Sequence, residues 1–180
     1  MLVPSRKTTE KILSISSGKK GVIVVKTDSG RFSLSQDAYT ELPLYEGKEL
    51  TPLEKHELLH LSSLSAPLRY AESLLSRREY SVSSLKKKLK TKFPEFEDTS
   101  ELIDRLKKSS LLDDNRFASD YLLLHEGSLE GEEKIKNNLQ YKEGIAPSII
   151  ASLPFSNEEN KASEYLLRIE PHLSSLPLFK

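Results

Sequence analysis

Cysteine and tryptophan are absent from the 180-residue sequence, and methionine occurs once. Without cysteine the chain cannot form a disulfide, use a thiolate nucleophile, or bind zinc or an iron–sulfur cluster through thiolates. Long hydrophobic runs are also missing, since no segment approaches the roughly 18 apolar residues that span a bilayer, and residues 1–10 lack an apolar signal core. We therefore expect a cytoplasmic protein without a membrane partner.

The charged side chains are balanced in number but separated along the chain. The sequence has 27 basic and 27 acidic residues and 37% hydrophobic residues, a composition that favours thin helical layers over one large enzyme core. Residues 1–31 and 66–110 have an excess of basic side chains, whereas residues 32–65 and 111–180 have an excess of acidic ones. This separation suits a chain that contacts a polyanion with one part and a protein surface with another.

The first part of the chain has the sequence pattern of β structure. Residues 11–16 alternate apolar and polar side chains, and residues 22–25 form a β-branched run. Glycine-containing turns separate these segments from each other and from residues 31–34. Three short antiparallel strands are therefore predicted, and Thr51 before Pro52 predicts the start of a helix.

Helical periodicity begins near Ala66 and then recurs along the chain. The motif Tyr-Ala-x-x-Leu-Leu around Ala71 is followed by related motifs around Ala118 and Ala162, at intervals of 47 and 44 residues. Each complete unit is predicted to contain three short amphipathic helices. Because such small units cannot bury their apolar faces alone, neighbouring units should stack.

The predicted fold class is mainly α, with tandem three-helix repeats preceded by a small antiparallel β-containing N-terminal segment. The predicted boundaries are 1–50 for the β-rich segment, 51–65 for a linking helix, 66–110 and 111–155 for the first and second three-helix repeats, and 156–180 for a truncated third repeat.

Several motifs in and around the repeats resemble one known family. They are Tyr70-Ala71-Glu72-Ser73-Leu74-Leu75-Ser76-Arg77-Arg78-Glu79-Tyr80-Ser81, Leu85-x-x-Lys88-Leu89, Leu111-Leu112-Asp113-Asp114-Asn115-Arg116-Phe117-Ala118 with Tyr121, and Lys142-Glu143-Gly144-Ile145. Over about residues 10–170 the sequence resembles the RecX family, the regulators of the RecA recombinase. It departs from the family at Glu143, an insertion into the usual Lys-Gly-Ile, and at residues 125–133, which are acidic where the family tends to be basic.

The resemblance implies an elongated, curved helical array that lies in the groove of the RecA–DNA filament. It implies a non-catalytic modulator, expected to inhibit, that restrains the ATP turnover and strand exchange of RecA during DNA repair, recombination and the SOS response. The implied partners are the RecA filament and the single-stranded DNA within it, with binding to free DNA left open. The chain is expected to act as a monomer without a cofactor, a metal or a catalytic residue.

A cluster of basic residues is the candidate binding surface. At about 100° per residue, Lys86, Lys87 and Lys90 should point outward from a helix whose Leu85 and Leu89 face the core. The candidate filament- or DNA-binding residues are Arg77, Arg78, Lys86, Lys87, Lys88, Lys90, Lys92, Arg105, Lys107 and Lys108. Such a surface attracts phosphates or an acidic protein, although lysines of this kind also serve only to keep a helix soluble.

Two alternative functions compete with a filament regulator. The basic helix would enter the DNA major groove in an independent DNA-binding module, but it offers mostly lysine where base readout uses Arg, Asn or Gln. His56-Glu57-x-x-His60 matches the H-E-x-x-H pattern of zinc peptidases, with Glu72 or Glu79 as a third ligand. No third histidine follows at the usual spacing, so an exposed connecting helix is the favoured interpretation.

Other candidate site residues are given structural roles. Asp113 and Asp114 are predicted to cap a helix start, where negative charge is favourable, rather than to bind a metal. The aromatic residues at equivalent helical positions are predicted to be core residues rather than base-stacking platforms. They are Tyr70, Phe117, Tyr121 and Tyr165.

Overall fold

The computed structural model describes residues 10–126 and 131–155. These residues are mainly helical and include a small antiparallel sheet near the N-terminus, which confirms the predicted combination of elements. They form two compact units, one containing residues 10–74 and 92–102 and the other containing residues 75–91 and 103–155. The stacking of tandem repeats stays a prediction, and the truncated third repeat with Ala162 lies outside the described residues.

The first unit contains a four-stranded antiparallel sheet in the order β3-β2-β1-β4. The strands are β1 (Glu10–Ser17), β2 (Ile23–Thr27), β3 (Arg31–Leu34) and β4 (Glu49–Leu50), and a short helix α1 (Gln36–Glu41) follows β3. The three predicted strands are confirmed. The fourth strand was not predicted, because two residues are too few to show alternation. It pairs with the start of β1, where Glu10 lies opposite Leu50.

A long helix, α2 (Pro52–Leu75), follows the sheet. Its start is fixed by a capping box: the Thr51 hydroxyl accepts the Glu54 N–H at 3.3 Å, and Glu54 Oε2 accepts the Thr51 N–H at 2.9 Å. The linking helix predicted over residues 51–65 and the first helix of the first repeat are therefore one continuous helix. It continues because its buried residues keep helical spacing from Leu58 to Ala71.

The buried carboxylate of Glu10 joins the sheet to α2. Glu10 Oε2 lies 2.7 Å from Lys55 Nζ, and Oε1 accepts hydrogen bonds from the Thr27 and Ser29 hydroxyls. Burial by itself raises the pKa of the Glu10 carboxyl, but Lys55 and the two hydroxyls outweigh that effect and hold the pKa below its ordinary value. The ionised form of Glu10 is therefore the form that the fold stabilises.

The second unit contains the remaining helices and has its own apolar core. The helices are α3 (Val82–Lys92), α4 (Thr99–Lys108), α5 (Asp114–Glu126), α6 (Glu132–Asn137), a π-helical turn (Asn138–Lys142) and α7 (Pro147–Ala151); α3 and α4 each place part of their length in the first unit. The core of the second unit includes Ala118, Leu122, Ile135, Leu139 and Ile150.

Burial agrees with the predicted apolar positions of the repeats. Leu85 and Leu89 in α3, which were predicted to face the core, are 0% exposed, and Ile135 and Leu139 in the core of the second unit are also 0% exposed. No helix within residues 10–126 and 131–155 is long and apolar enough to cross a membrane.

Candidate binding surface

The exposed face of α3 is basic. Leu85 and Leu89 are buried, whereas Lys86, Lys87 and Lys90 are exposed, which confirms the orientation predicted from helical periodicity. Leucine burial holds one side of the helix against the core of the protein, so the three lysines are presented to solvent on a rigid element.

Two cations flank one aromatic ring beside this face. The Tyr80 ring is 7% exposed. Arg78 Cζ lies 4.4 Å and Lys88 Nζ lies 5.8 Å from the ring centroid. Both distances are within the range of cation–π attraction, so Tyr80 holds Arg78 and Lys88 in defined positions.

The same cations line a pocket of about 520 Å³ in the second unit. Of the predicted binding residues, Arg78, Lys87 and Lys88 lie on its wall. The remaining predicted residues do not line it. Those that are exposed elsewhere are Arg77, Lys86, Lys90, Lys92, Lys107 and Lys108, and Arg105 is half-buried. The structure therefore brings together only part of the predicted set.

Aromatic residues of α5 form the opposite side of the pocket. The Tyr121 and His125 rings stack with their centroids 4.1 Å apart and their planes at 13°. Phe117 and Tyr121 are half-buried and pack against the core of the second unit, as predicted, while part of each side chain lines the pocket. Leu124 lines the pocket and is 81% exposed. The spacing Phe117-Tyr121-His125 is a signal in the sequence for this aromatic stripe, and the position of Leu124, about 200° around the helix from the buried Leu122, is a signal for its exposure.

An ion pair joins two of the family-like motifs. Arg116 Nε lies 2.9 Å from Glu79 Oε1 and Arg116 Nη2 lies 3.1 Å from Glu79 Oε2, which is a bidentate arrangement. Arg116 also donates to the carbonyls of Ser110 and Leu111 at 3.0 and 3.2 Å. Both carboxylate oxygens of Glu79 are therefore engaged with Arg116.

The two adjacent aspartates cap two different helices. Asp113 Oδ1 accepts the Asn115 N–H at 2.8 Å at the start of α5, and this hydrogen bond is the main reason that the pKa of Asp113 is lowered. Asp114 Oδ1 instead accepts the Val82 N–H at 2.8 Å and so caps α3. The capping prediction is confirmed for Asp113, but for Asp114 the capped helix is the one that carries the lysines.

Glu143 adds a second carboxylate to the start of α3. Its Oε2 accepts the hydroxyls of Ser81 and Ser84 at 3.2 and 2.5 Å, while Ser81 Oγ accepts the Ser84 N–H at 3.1 Å. Ser81 therefore caps the start of α3. A π-helical turn (Asn138–Lys142) directly precedes Glu143.

Gly144 ends this turn in a conformation that only glycine adopts easily. Its φ is +69°, and a Cβ at this position would lie 2.8 Å from Ser83 Cβ and Oγ. The Ile145 N–H reaches back to the Leu139 carbonyl at 2.9 Å. The segment after α6 therefore packs directly against the first turn of α3.

Tyr70 and His60 in the first unit have local partners. In the first unit, Tyr70 packs edge-on against Phe93 with ring centroids 5.7 Å apart, and Tyr165 lies outside the described residues. His56 is exposed, as expected.

His60 is half-buried, and its Nε2 lies 3.0 Å from Glu101 Oε2 and 3.7 Å from Asp98 Oδ2. In the part of the chain that the structure describes, no three His, Asp or Glu side chains are arranged to hold a metal ion.

Comparison with known proteins finds similarity to regulators of one family. No protein-family model matches the sequence. Regulatory protein RecX from Bacillus licheniformis is 28% identical over 92% of this chain, and the protein of the same name from Streptococcus sanguinis is 26% identical over 88% of it. The chain spans 65% and 63% of the lengths of these two relatives. Regulatory protein RecX of Haemophilus influenzae is 31% identical over 110 residues, which make up 60% of this chain and 71% of that protein.

A solved structure has the same fold. The crystal structure of a regulatory protein RecX superposes with a TM-score of 0.66 at 24% identity, over 79% of this chain and 71% of that one. The matched region covers 71% of the Haemophilus influenzae protein at 31% identity, and the Glu79–Arg116 ion pair joins two of the family-like motifs. This chain therefore belongs to the RecX family.

Proposed function

We propose that this chain is a non-catalytic regulator of the RecA recombinase that binds the RecA–DNA filament and restrains ATP turnover and strand exchange. Its relatives are named as regulatory proteins rather than enzymes, which supports this function. We further propose that it acts in the cytoplasm as a monomer, in DNA repair and recombination. The observation that carries the proposal is the basic face of α3, where Lys86, Lys87 and Lys90 are exposed and the helix start is fixed by Asp114 and Glu143.

This face is better suited to binding a polyanionic filament than to reading DNA bases. Lysine attracts phosphates or acidic side chains without distinguishing bases, so the attraction is independent of DNA sequence. Direct readout in the major groove relies on Arg, Asn or Gln at exposed positions, and α3 exposes mainly lysines. The surface therefore supports filament binding over an independent major-groove reader.

The test uses the cognate RecA and measures filament binding and DNA-dependent ATP turnover for the wild-type protein and for two double variants in which lysines are replaced by glutamate. In Lys86→Glu/Lys90→Glu both changed residues are exposed and neither belongs to the core. Lys11→Glu/Lys26→Glu makes the same charge change at exposed positions of the sheet. We expect the α3 pair to weaken filament binding by about tenfold or more at 0.1 M salt, since each phosphate contact to a single strand contributes a salt exponent near 0.7.

Two results would contradict the proposal. Unchanged RecA kinetics at saturating wild-type protein would refute a regulatory role. Equal losses in the α3 pair and in the sheet pair would mean that net charge, rather than the α3 face, produces the attraction. Binding to free duplex DNA as tight as binding to the filament would instead favour an independent DNA-binding module.

A further inference from the structure

We propose that the pocket between α3 and α5 accepts one apolar side chain from an acidic segment of the partner protein. The chain would then bind the filament through a direct contact with that protein as well as through electrostatic attraction. This pocket is called the anchor pocket below. The inference rests on the proposed function, because RecA is taken as the partner.

The walls of the anchor pocket are largely apolar. Tyr80, Phe117, Tyr121 and Leu124 lie around a volume of about 520 Å³, which is within the usual range for a binding pocket and ample for an inserted side chain. Leu124 is 81% exposed at this site although it lies on a helix whose other face is in the core. An apolar side chain from a partner would cover Leu124 and remove its surface from water, which is favourable.

The charge beside the pocket is positive on the α3 side. Arg78, Lys87 and Lys88 line that wall. Three acidic residues also line the pocket: Glu79 binds Arg116, Glu143 binds the Ser81 and Ser84 hydroxyls, and Asp120 lies on α5. Lys87 Nζ donates to the Lys142 carbonyl at 3.3 Å, so Arg78 and Lys88 are the cations that this wall offers to a ligand, and a carboxylate flanking the inserted side chain would complement them.

The acidic group on the α5 side favours a peptide over a nucleic acid strand. Asp120 lines the pocket across from the cations. A strand carries a phosphate at every nucleotide and would bring negative charge near Asp120, whereas a peptide places a single carboxylate on the cationic wall. An apolar centre with charged residues at its edge is also the usual anatomy of a protein–protein hot spot.

Two neighbouring leucines provide a matched test. Leu124 lines the anchor pocket, whereas Leu123 is 67% exposed and does not line it. Leu124→Glu and Leu123→Glu add the same charge at adjacent exposed positions, so both variants should fold, which thermal unfolding checks. Each is assayed for binding to RecA filaments on single-stranded DNA, at about 0.3 M salt to weaken long-range attraction, and for binding to the same DNA without RecA.

We expect Leu124→Glu to weaken filament binding at least tenfold, Leu123→Glu to change it less than twofold, and neither to alter binding to DNA alone. Equal filament affinity of the two variants would overturn the anchor pocket while leaving the proposed function intact. A parallel loss of DNA binding in Leu124→Glu would overturn it in favour of a nucleic acid occupant. Wild-type protein that does not bind the filament would refute both proposals, which separates the two kinds of failure.

Discussion

Replacing Gly144 by alanine tests how closely the segment after α6 packs against α3. The φ of Gly144 is +69°, and the new Cβ would lie 2.8 Å from Ser83 Cβ and Oγ. Gly47 is a matched control, since its φ is +85° but a Cβ there would have nothing within 4 Å. Both substitutions impose a left-handed backbone on an alanine, and only Gly144→Ala adds a steric overlap.

The two costs can be estimated separately. A left-handed conformation costs an alanine about 1–2 kcal/mol, offset by about 0.4–1 kcal/mol because alanine also restricts the unfolded chain. Overpacking in a closely packed site adds about 1–3 kcal/mol. We therefore expect Gly144→Ala to lower the free energy of unfolding by about 1–5 kcal/mol and Gly47→Ala by about 1.5 kcal/mol or less, with Tm falling by about 4–8 °C per kcal/mol in a unit of this size.

Urea and thermal unfolding of the single variants and of Gly144→Ala/Ser83→Gly give the measurement. Ser83→Gly removes both atoms that the new Cβ would meet, at a helix-propensity cost of about 0.5–1 kcal/mol. A double-mutant cycle should then show that Ser83→Gly recovers most of the steric part. If Gly144→Ala costs no more than Gly47→Ala, or if the cycle shows no coupling between residues 83 and 144, the reasoning from close packing is wrong.

Three further predictions concern single contacts. Arg116→Ala should destabilise the second unit by about 1 kcal/mol in urea unfolding, and Arg116→Lys should recover little of this loss, because lysine cannot form the bidentate pair with Glu79. Because the pKa of Glu10 is lowered in the folded state, its contribution to stability should be complete above the ordinary pKa of glutamate and be lost as the pH falls through the folded-state pKa. The free energy of unfolding of Glu10→Gln, measured between about pH 6 and pH 3, should therefore depend less on pH than that of the wild-type protein. His56→Ala with His60→Ala should leave RecA regulation intact, and stoichiometric zinc in the wild-type protein together with loss of regulation in the variant would contradict this.

Features that depend on neighbouring residues in the sequence were predictable. The Thr51 and Ser81 caps and the outward direction of Lys86 and Lys90 follow from side chains within one or two helical turns. Local spacing determines which face of a helix is apolar, and that is enough to place the lysines on the exposed face of α3.

Features that depend on distant residues were not predictable. Asp114 stands at the start of α5, so its sequence position indicates a cap for that helix, yet its carboxylate binds the Val82 N–H of α3. The anchor pocket was missed for a related reason. Helical spacing places Leu124 about 200° around α5 from the buried Leu122, so its outward direction could be predicted, but the pocket that it lines forms only when residues of α3 and α5 lie side by side.

The capping of α3 has a consequence for how the chain folds and how it can be divided. Helix α3 (Val82–Lys92) is short, and isolated helices of this length are marginal in water. The carboxylates of Asp114 and Glu143 that complete its first turn are supplied from 32 residues or more further along the chain. A fragment ending at residue 110 would contain every lysine of α3 but neither carboxylate. The helix should therefore become ordered only after the later segment has docked, so cutting between the two predicted repeats would cost the first one its organised basic face.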